Sequence, residues 1–321
     1  VGALGVQAST LSDVQAKGHV SCGVSKGLAG FSSADSSGNW TGVDVDVCRA
    51  VAAATLGDAQ KVKFVPLTAK ERFTALQSGE IDMLSRNTTW TITRDASLGL
   101  NFAGVNYYDG QGFMVKSSLG VSSAMELSGA AVCIQAGTTT ELNLADWGKA
   151  NGIDYNSVVS DTNAQTLTNY DSGRCDVLTT DASGLYSMRA AANDPSEHVV
   201  LPEIISKEPL GPVVRQGDDQ WFNIVRWSLN AMITAEELGV TSATVDDVSN
   251  NPERERLMGR SGSTHEYVGL TPDWTYQIVK QVGNYSESFE RNIGLNTPIG
   301  IARGVNALWT DGGILYSPPF R

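Results

Sequence analysis

A chain of 321 residues is long enough for two modest domains, each with its own core. Its 41% hydrophobic and 18% charged residues describe an ordinary folded protein rather than a disordered one. The net charge of -12 opposes binding to a nucleic-acid backbone but not to a small anion, and no apolar run approaches the roughly 18 residues of a membrane-crossing helix.

The first eight residues, Val1 to Ala8, are apolar and end in small side chains. Val6 and Ala8 fall where a secretory signal would place the small positions before cleavage. Residues 19–24 are β-prone, and a Gly/Ser-rich loop follows over 27–42. An Ala-rich helix is expected over 44–54, stopped by Gly57. A strand at 61–66 leads to a helix over 69–78 with Phe73, Ala75 and Leu76 on its apolar side, and then to a strand at 81–84. Strands alternating with helices point to a mostly parallel sheet covered on both faces.

The alternation restarts near residue 130. Strands are expected at 130–134, near Val158, and at 175–180, with helices over 137–147 and 162–172. The last of these strands delivers Asp181 at its carboxyl end. Pro-punctuated sequence from Glu208 to Pro212 precedes an amphipathic helix over 219–238. Two α/β units with ligand-type residues at strand ends suggest a cleft between them. Beyond Gly239 the alternation weakens. Helix candidates at 251–258, 274–282, 285–293 and 304–308 describe a small, mostly helical extension on one lobe.

The four cysteines form no CxxC pair, and with only three histidines nothing suggests a metal or cofactor site. Cys22 and Cys48 fall in the first unit, Cys133 and Cys175 in the second. Pairing within each unit is the preferred of the three connectivities, because it leaves the units free to move. Two such disulfides suit an oxidising compartment.

Several short segments could carry chemistry. Gly23-Val24-Ser25-Lys26-Gly27 matches the hydrolase elbow G-x-S-x-G, but no helix follows to expose the serine. Asn87-Thr88-Thr89, with Arg94 just beyond, offers hydroxyls, an amide and a planar guanidinium for a carboxylate; the plain alternative is a solvated loop. Gly137-Thr138-Thr139-Thr140-Glu141 could open a helix whose N–H groups meet an anion, or could simply cap it. Asp181 could pair with an ammonium or cap the next turn. Together they make a pocket for an α-amino acid.

These segments resemble the solute-binding proteins of polar amino-acid ABC transporters, in particular the broad "general L-amino acid" type. The resemblance rests on Gly42-Val43-Asp44-Val45-Asp46-Val47-Cys48, on residues 72–82, on Asn87-Thr88-Thr89 with Arg94, on residues 137–141 and on residues 209–219. It implies a type II periplasmic-binding fold, two α/β lobes joined by two hinge crossovers near Val115-Lys116 and Gly211-Val214. The implied division is 1–115 for the first part of lobe 1, 116–212 for lobe 2, 213–240 for the return to lobe 1, and 241–321 for the extension packed on lobe 1.

The resemblance further implies that Arg94 grips the ligand α-carboxylate beside Thr89 and Asn87, that Thr138 and Thr139 add carboxylate contacts from lobe 2, and that Asp181 anchors the ammonium. Ser25 and Arg72 would face the ligand side chain. Ser25 stands where binders of cationic amino acids tend to carry an acid, and Leu28 replaces a stacking aromatic. Arg72, if it points inward, favours Glu, Gln, Asp or Asn. The implied protein is a periplasmic monomer without a cofactor that closes on a free L-amino acid and docks on a membrane permease. A dehydratase-type enzyme on the same fold, or a sensor acting through a separate partner, are the alternatives.

Overall fold

The computed structural model describes residues 9–321, so the signal-like pattern of residues 1–8 lies outside the described residues. Two five-stranded sheets organise the chain. In the first, strands follow the order Val62–Leu67, Val20–Ser25, Met83–Leu84, Val213–Arg215, Leu100–Phe102. Val20–Ser25 pairs in parallel with both neighbours, and all its residues are buried, as for a strand covered on both faces. Val213–Arg215 follows the last strand of the second sheet in the chain and runs antiparallel to its neighbours.

The second sheet has the order Tyr155–Ser160, Ala130–Gln135, Val177–Asp181, Gln111–Lys116, His198–Val200. Here Gln111–Lys116 is the antiparallel member on both sides. Each sheet is therefore mixed rather than mostly parallel, because each receives a strand across the connection between lobes.

That connection is a pair of antiparallel strands, Tyr107–Asp109 outward and Glu208–Leu210 back, with Glu208 opposite Asp109 and Leu210 opposite Tyr107. The outward crossing lies ahead of the position expected near Val115 and Lys116. Residues 111–115, expected in lobe 1, are instead hydrogen-bonded into the second sheet beside Val177–Asp181. Gln111 to Val115 are all buried, and that burial leaves no polar break in the sequence to mark the change of lobe. The return crossing sits just before Gly211. A Cβ at Gly211 would stand 1.8 Å from the Gly104 carbonyl oxygen, so only glycine lets the two backbones pass.

The Ala-rich segment forms a helix, Val43–Leu56, that ends on a left-handed Gly57 whose N–H bonds to the Ala53 carbonyl. All its residues except Arg49 and Leu56 are buried. One side meets the first sheet, and the helices Asp219–Glu237, Trp274–Gln281 and Tyr285–Asn292 pack on the rest. The extension is thus fixed to the first lobe. Asp46 accepts hydrogen bonds from Ser288 (2.6 Å), Arg291 (2.7 Å) and Asn292 (2.9 Å). The extension also grips the outward crossing: Asn306 accepts from the Tyr108 N–H at 2.7 Å and donates to its carbonyl at 3.0 Å.

Disulfides join Cys22 to Cys48 and Cys133 to Cys175, each within one lobe, as preferred from their placement. The short strands at 100–102, 198–200 and 213–215, the crossing strands, and the helix Thr264–Val268 had no counterpart in the sequence reading.

Candidate functional site

The loop after Met83–Leu84 forms one wall of the cleft. Asp44, buried in the first turn of its helix, accepts from the Asn87 N–H at 2.7 Å and from Asn106 at 2.9 Å. These bonds hold Asn87 at φ 33, a left-handed conformation that asparagine tolerates better than most residues. The loop then runs along the return crossing: Thr89 bridges Leu210, and the Trp90 N–H reaches the Pro209 carbonyl at 2.8 Å. A one-turn π-helix, Thr93–Ser97, presents Arg94. Its guanidinium is nearly buried and donates to the Thr89 carbonyl at 3.0 Å.

Arg72 opens the helix Arg72–Gln77 and points inward. The guanidinium carbons of Arg72 and Arg94 both lie 5.0 Å from the Phe73 ring centroid, within cation–π range. Arg72 is only 3% exposed, yet its Nε has no partner among the described residues. Its best bonds are long, 3.5 Å to Thr88 and 3.4 Å to the Gly137 carbonyl of lobe 2. Burial pulls its pKa well below the ordinary value, and the neighbouring Arg94 and Arg86 pull in the same direction. A buried guanidinium so poorly served favours an anion.

Carboxylates supply the opposite pole. Asp181 ends the strand Val177–Asp181 and stands at the head of the helix Ala182–Ala191, but its side chain caps nothing. It accepts no hydrogen bond among the described residues and is 8% exposed. Burial, then Asp109 and Glu208, push its pKa well above the carboxylate range, with Arg72 and Arg94 opposing. Asp109, held by Ser183 and the Gly110 N–H, is pushed up to about 6, chiefly by burial.

Between the poles lies Glu208, which the sequence reading did not single out. It is 1% exposed and accepts four hydrogen bonds: Thr89 at 2.5 Å, Thr139 at 2.9 Å, Asn143 at 2.6 Å and Ser206 at 2.7 Å. Thr139 and Asn143 belong to the helix Thr139–Asn151 of lobe 2, while Thr89 belongs to lobe 1. Nothing local in Glu208-Pro209-Leu210 announces this role; it depends on a pairing with residues about a hundred positions earlier in the chain.

The expected residues are distributed unevenly. Arg72, Arg94, Thr89, Thr139 and Asp181 converge around Glu208 and Asp109. Thr138 turns its hydroxyl back onto the Gln135 carbonyl at 2.8 Å. Asn87 contributes a buried amide oxygen with no partner among the described residues. Ser25 ends its strand without a following helix, so the hydrolase-like motif is not an elbow. Its hydroxyl accepts from the Gly27 N–H at 3.2 Å and from Asn163 of lobe 2 at 3.5 Å. Ser187 to the Ala29 carbonyl (2.7 Å) and Lys70 to Asp161 (2.8 Å) also join the lobes, which are therefore closed on one another.

Two guanidiniums and a group of carboxylates in one buried cleft suit a zwitterion. Among the described residues no His, Cys, Asp and Glu cluster could hold a metal ion. A cavity of about 190 Å³ bordered by Trp309, Tyr316 and Phe320 shares no residue with the cleft cluster.

Comparison with known proteins gives concordant matches. The model of the bacterial extracellular solute-binding proteins, family 3, matches residues 20–244. The chain is 61% identical to the general L-amino acid-binding periplasmic protein AapJ of Rhizobium johnstonii, over 100% of this chain and 95% of the relative. It is 56% identical to the glutamate/glutamine/aspartate/asparagine-binding protein BztA of Rhodobacter capsulatus, over 98% and 94%. A solved ABC-transporter periplasmic binding protein from Brucella ovis, with glutathione bound, superposes with a TM-score of 0.96 at 58% identity, covering 98% of this chain and 100% of that one.

Proposed function

The chain belongs to family 3 of the bacterial extracellular solute-binding proteins, with the type II periplasmic-binding fold, and on that premise we propose that it captures free L-amino acids outside the cytoplasm and passes them to the permease of an ABC transporter. The observation that carries this reading is the buried pairing of Arg72 and Arg94 on the Phe73 ring against Asp181, Asp109 and Glu208. Arg94 would take the α-carboxylate and Asp181 the ammonium. Each buried charge would gain the partner that the protein withholds from it.

Arg72 extends the choice to the side chain. A second cation, buried and underserved, suits Glu and Asp by charge and Gln and Asn by their amide oxygens. The name of the Rhodobacter relative points the same way. Glutathione, present in the Brucella structure, also ends in a free α-amino acid group. The contacts of the closed state are what ligand would stabilise: it binds lobe 1 through Arg94 first, and lobe 2 then adds Thr139 and Asp181. Export, a role as receptor rather than enzyme, and a monomeric state complete the proposal. The dehydratase and sensor alternatives are not favoured, since relatives spanning nearly the whole chain are named as binding proteins.

Mass spectrometry of small molecules released by denaturing the purified protein tests this directly. Glu, Gln, Asp or Asn among the released compounds is the expected outcome. A protein that releases none of them, and shows no heat of binding with any of the common L-amino acids, would sink the reading.

A further inference from the structure

The return crossing strand Glu208–Leu210 places a carboxylate at the pivot between the lobes, and all four of its hydrogen bonds among the described residues come from side chains. A carboxylate only accepts, so each of these partners must donate. A threonine hydroxyl has one proton. Once Thr89 and Thr139 give theirs to the same Glu208 oxygen, both hydroxyls can offer only lone pairs elsewhere. Those two hydroxyl oxygens lie 3.5 Å apart, one on each lobe, so Glu208 joins them across the cleft.

We propose that Glu208 is a positioning residue for closure. Its carboxylate ties the lobes together from the hinge and fixes the Thr89 and Thr139 hydroxyls as acceptors, so that they suit a ligand ammonium and repel a carboxylate. This revises the expectation of a carboxylate contact for the Thr139 hydroxyl, and leaves only the backbone N–H at the head of its helix to donate. It also places the ammonium pole at Asp181 and the hydroxyl pair, and leaves the α-carboxylate to Arg94 and the side chain to Arg72. The polarity part rests on the amino-acid reading above; the tie between lobes does not.

The test uses Glu208→Gln, whose shape is conserved but whose amide presents a donor where one pair of partners also donates. Thr139→Val serves as a second route that removes one partner, and Thr139→Ser should restore it. In X-ray scattering of ligand-free protein, Glu208→Gln and Thr139→Val are expected to give a larger radius of gyration than wild type, and Thr139→Ser a wild-type value. In calorimetry, the preference of wild type for L-glutamate over 2-oxoglutarate, which lacks the ammonium, should fall about tenfold in Glu208→Gln and Thr139→Val. A merely structural defect would weaken both ligands together and leave that ratio unchanged. A folded Glu208→Gln protein with wild-type scattering overturns the tie, and an unchanged ratio overturns the polarity assignment. Should wild type bind neither compound nor any other amino acid, the amino-acid reading and the polarity assignment fall, while scattering still decides the tie.

Discussion

Arg94 and Arg72 share one aromatic ring but are served differently by the protein. Arg94 keeps a good bond to the Thr89 carbonyl at 3.0 Å; among the described residues Arg72 has nothing shorter than 3.4 Å and a bare Nε. Replacing Arg94 by alanine would leave a buried ligand carboxylate without its partner. The expected loss is about 2–5 kcal/mol of binding free energy, for acidic and amide ligands alike, read by calorimetry. Arg72→Met keeps the apolar stem and removes only the charge. It should weaken Glu and Asp more than Gln and Asn, and raise the Tm of the ligand-free protein, because a desolvated cation beside Arg94 and Arg86 is removed. Equal weakening across the four ligands would show that Arg72 does not read the side chain. At this scale the sequence was informative wherever a charged residue closes a strand or follows one, as with Asp181 and Arg94. Glu208 and Asp109 escaped it because their partners, Thr89, Thr139 and Asn143 for one and Ser183 for the other, come from elements distant in the chain.

At the scale of elements, the disulfides show what local pattern can and cannot convey. Cysteine placement by lobe was enough to prefer the observed pairing, since each bridge spans elements of one α/β unit. The second bridge closes a separation of 42 residues, for which the chain-entropy account gives about 4 kcal/mol of stability. Replacing Cys133 and Cys175 together by serine should lower the denaturant midpoint accordingly while leaving amino-acid affinity within about twofold, because neither sulfur joins the lobes. A large change in affinity would mean that the bridge shapes the cleft. The crossings were harder to read. A buried strand such as Gln111–Lys116 looks alike whichever sheet it joins, and strands as short as Tyr107–Asp109 carry no period of their own.

The whole molecule carries a pH dependence of two opposite signs. Asp44 and Asp109, raised by burial from 3.8 to about 6, hold protons in the folded protein that they lose in the unfolded chain. Between those values the folded state binds more protons, so ligand-free stability rises as pH falls from about 7 towards 5. Below that window, lowered carboxylates such as Glu71 and Asp218 reverse the trend as they are protonated. Ligand binding should run the other way. An ammonium favours ionised Asp181, whose own pKa is raised, so affinity declines as the medium is acidified. Melting curves with and without L-glutamate across this range would show a rising ligand-free Tm and a shrinking ligand-induced increment; a ligand increment that grows on acidification would remove Asp181 from the ammonium pole. The two-lobed plan itself was legible from alternating strands and helices, while closure of the lobes was not, since it depends on side chains meeting across the cleft.

The sheathed helix Val43–Leu56 has a further consequence. A helix that meets a sheet on one side and solvent on the other keeps a wet stripe; this one has none, apart from Arg49 and Leu56 at its margins. Part of its outer face owes its dryness to Trp274–Gln281 and Tyr285–Asn292, which arrive near the end of the chain. Truncation after residue 240 would therefore not yield a tidier receptor of ordinary size. It would bare an oily ridge, orphan Asp46, and strip the brace that Asn306 gives to the outward crossing. The tail is a structural wall of lobe 1.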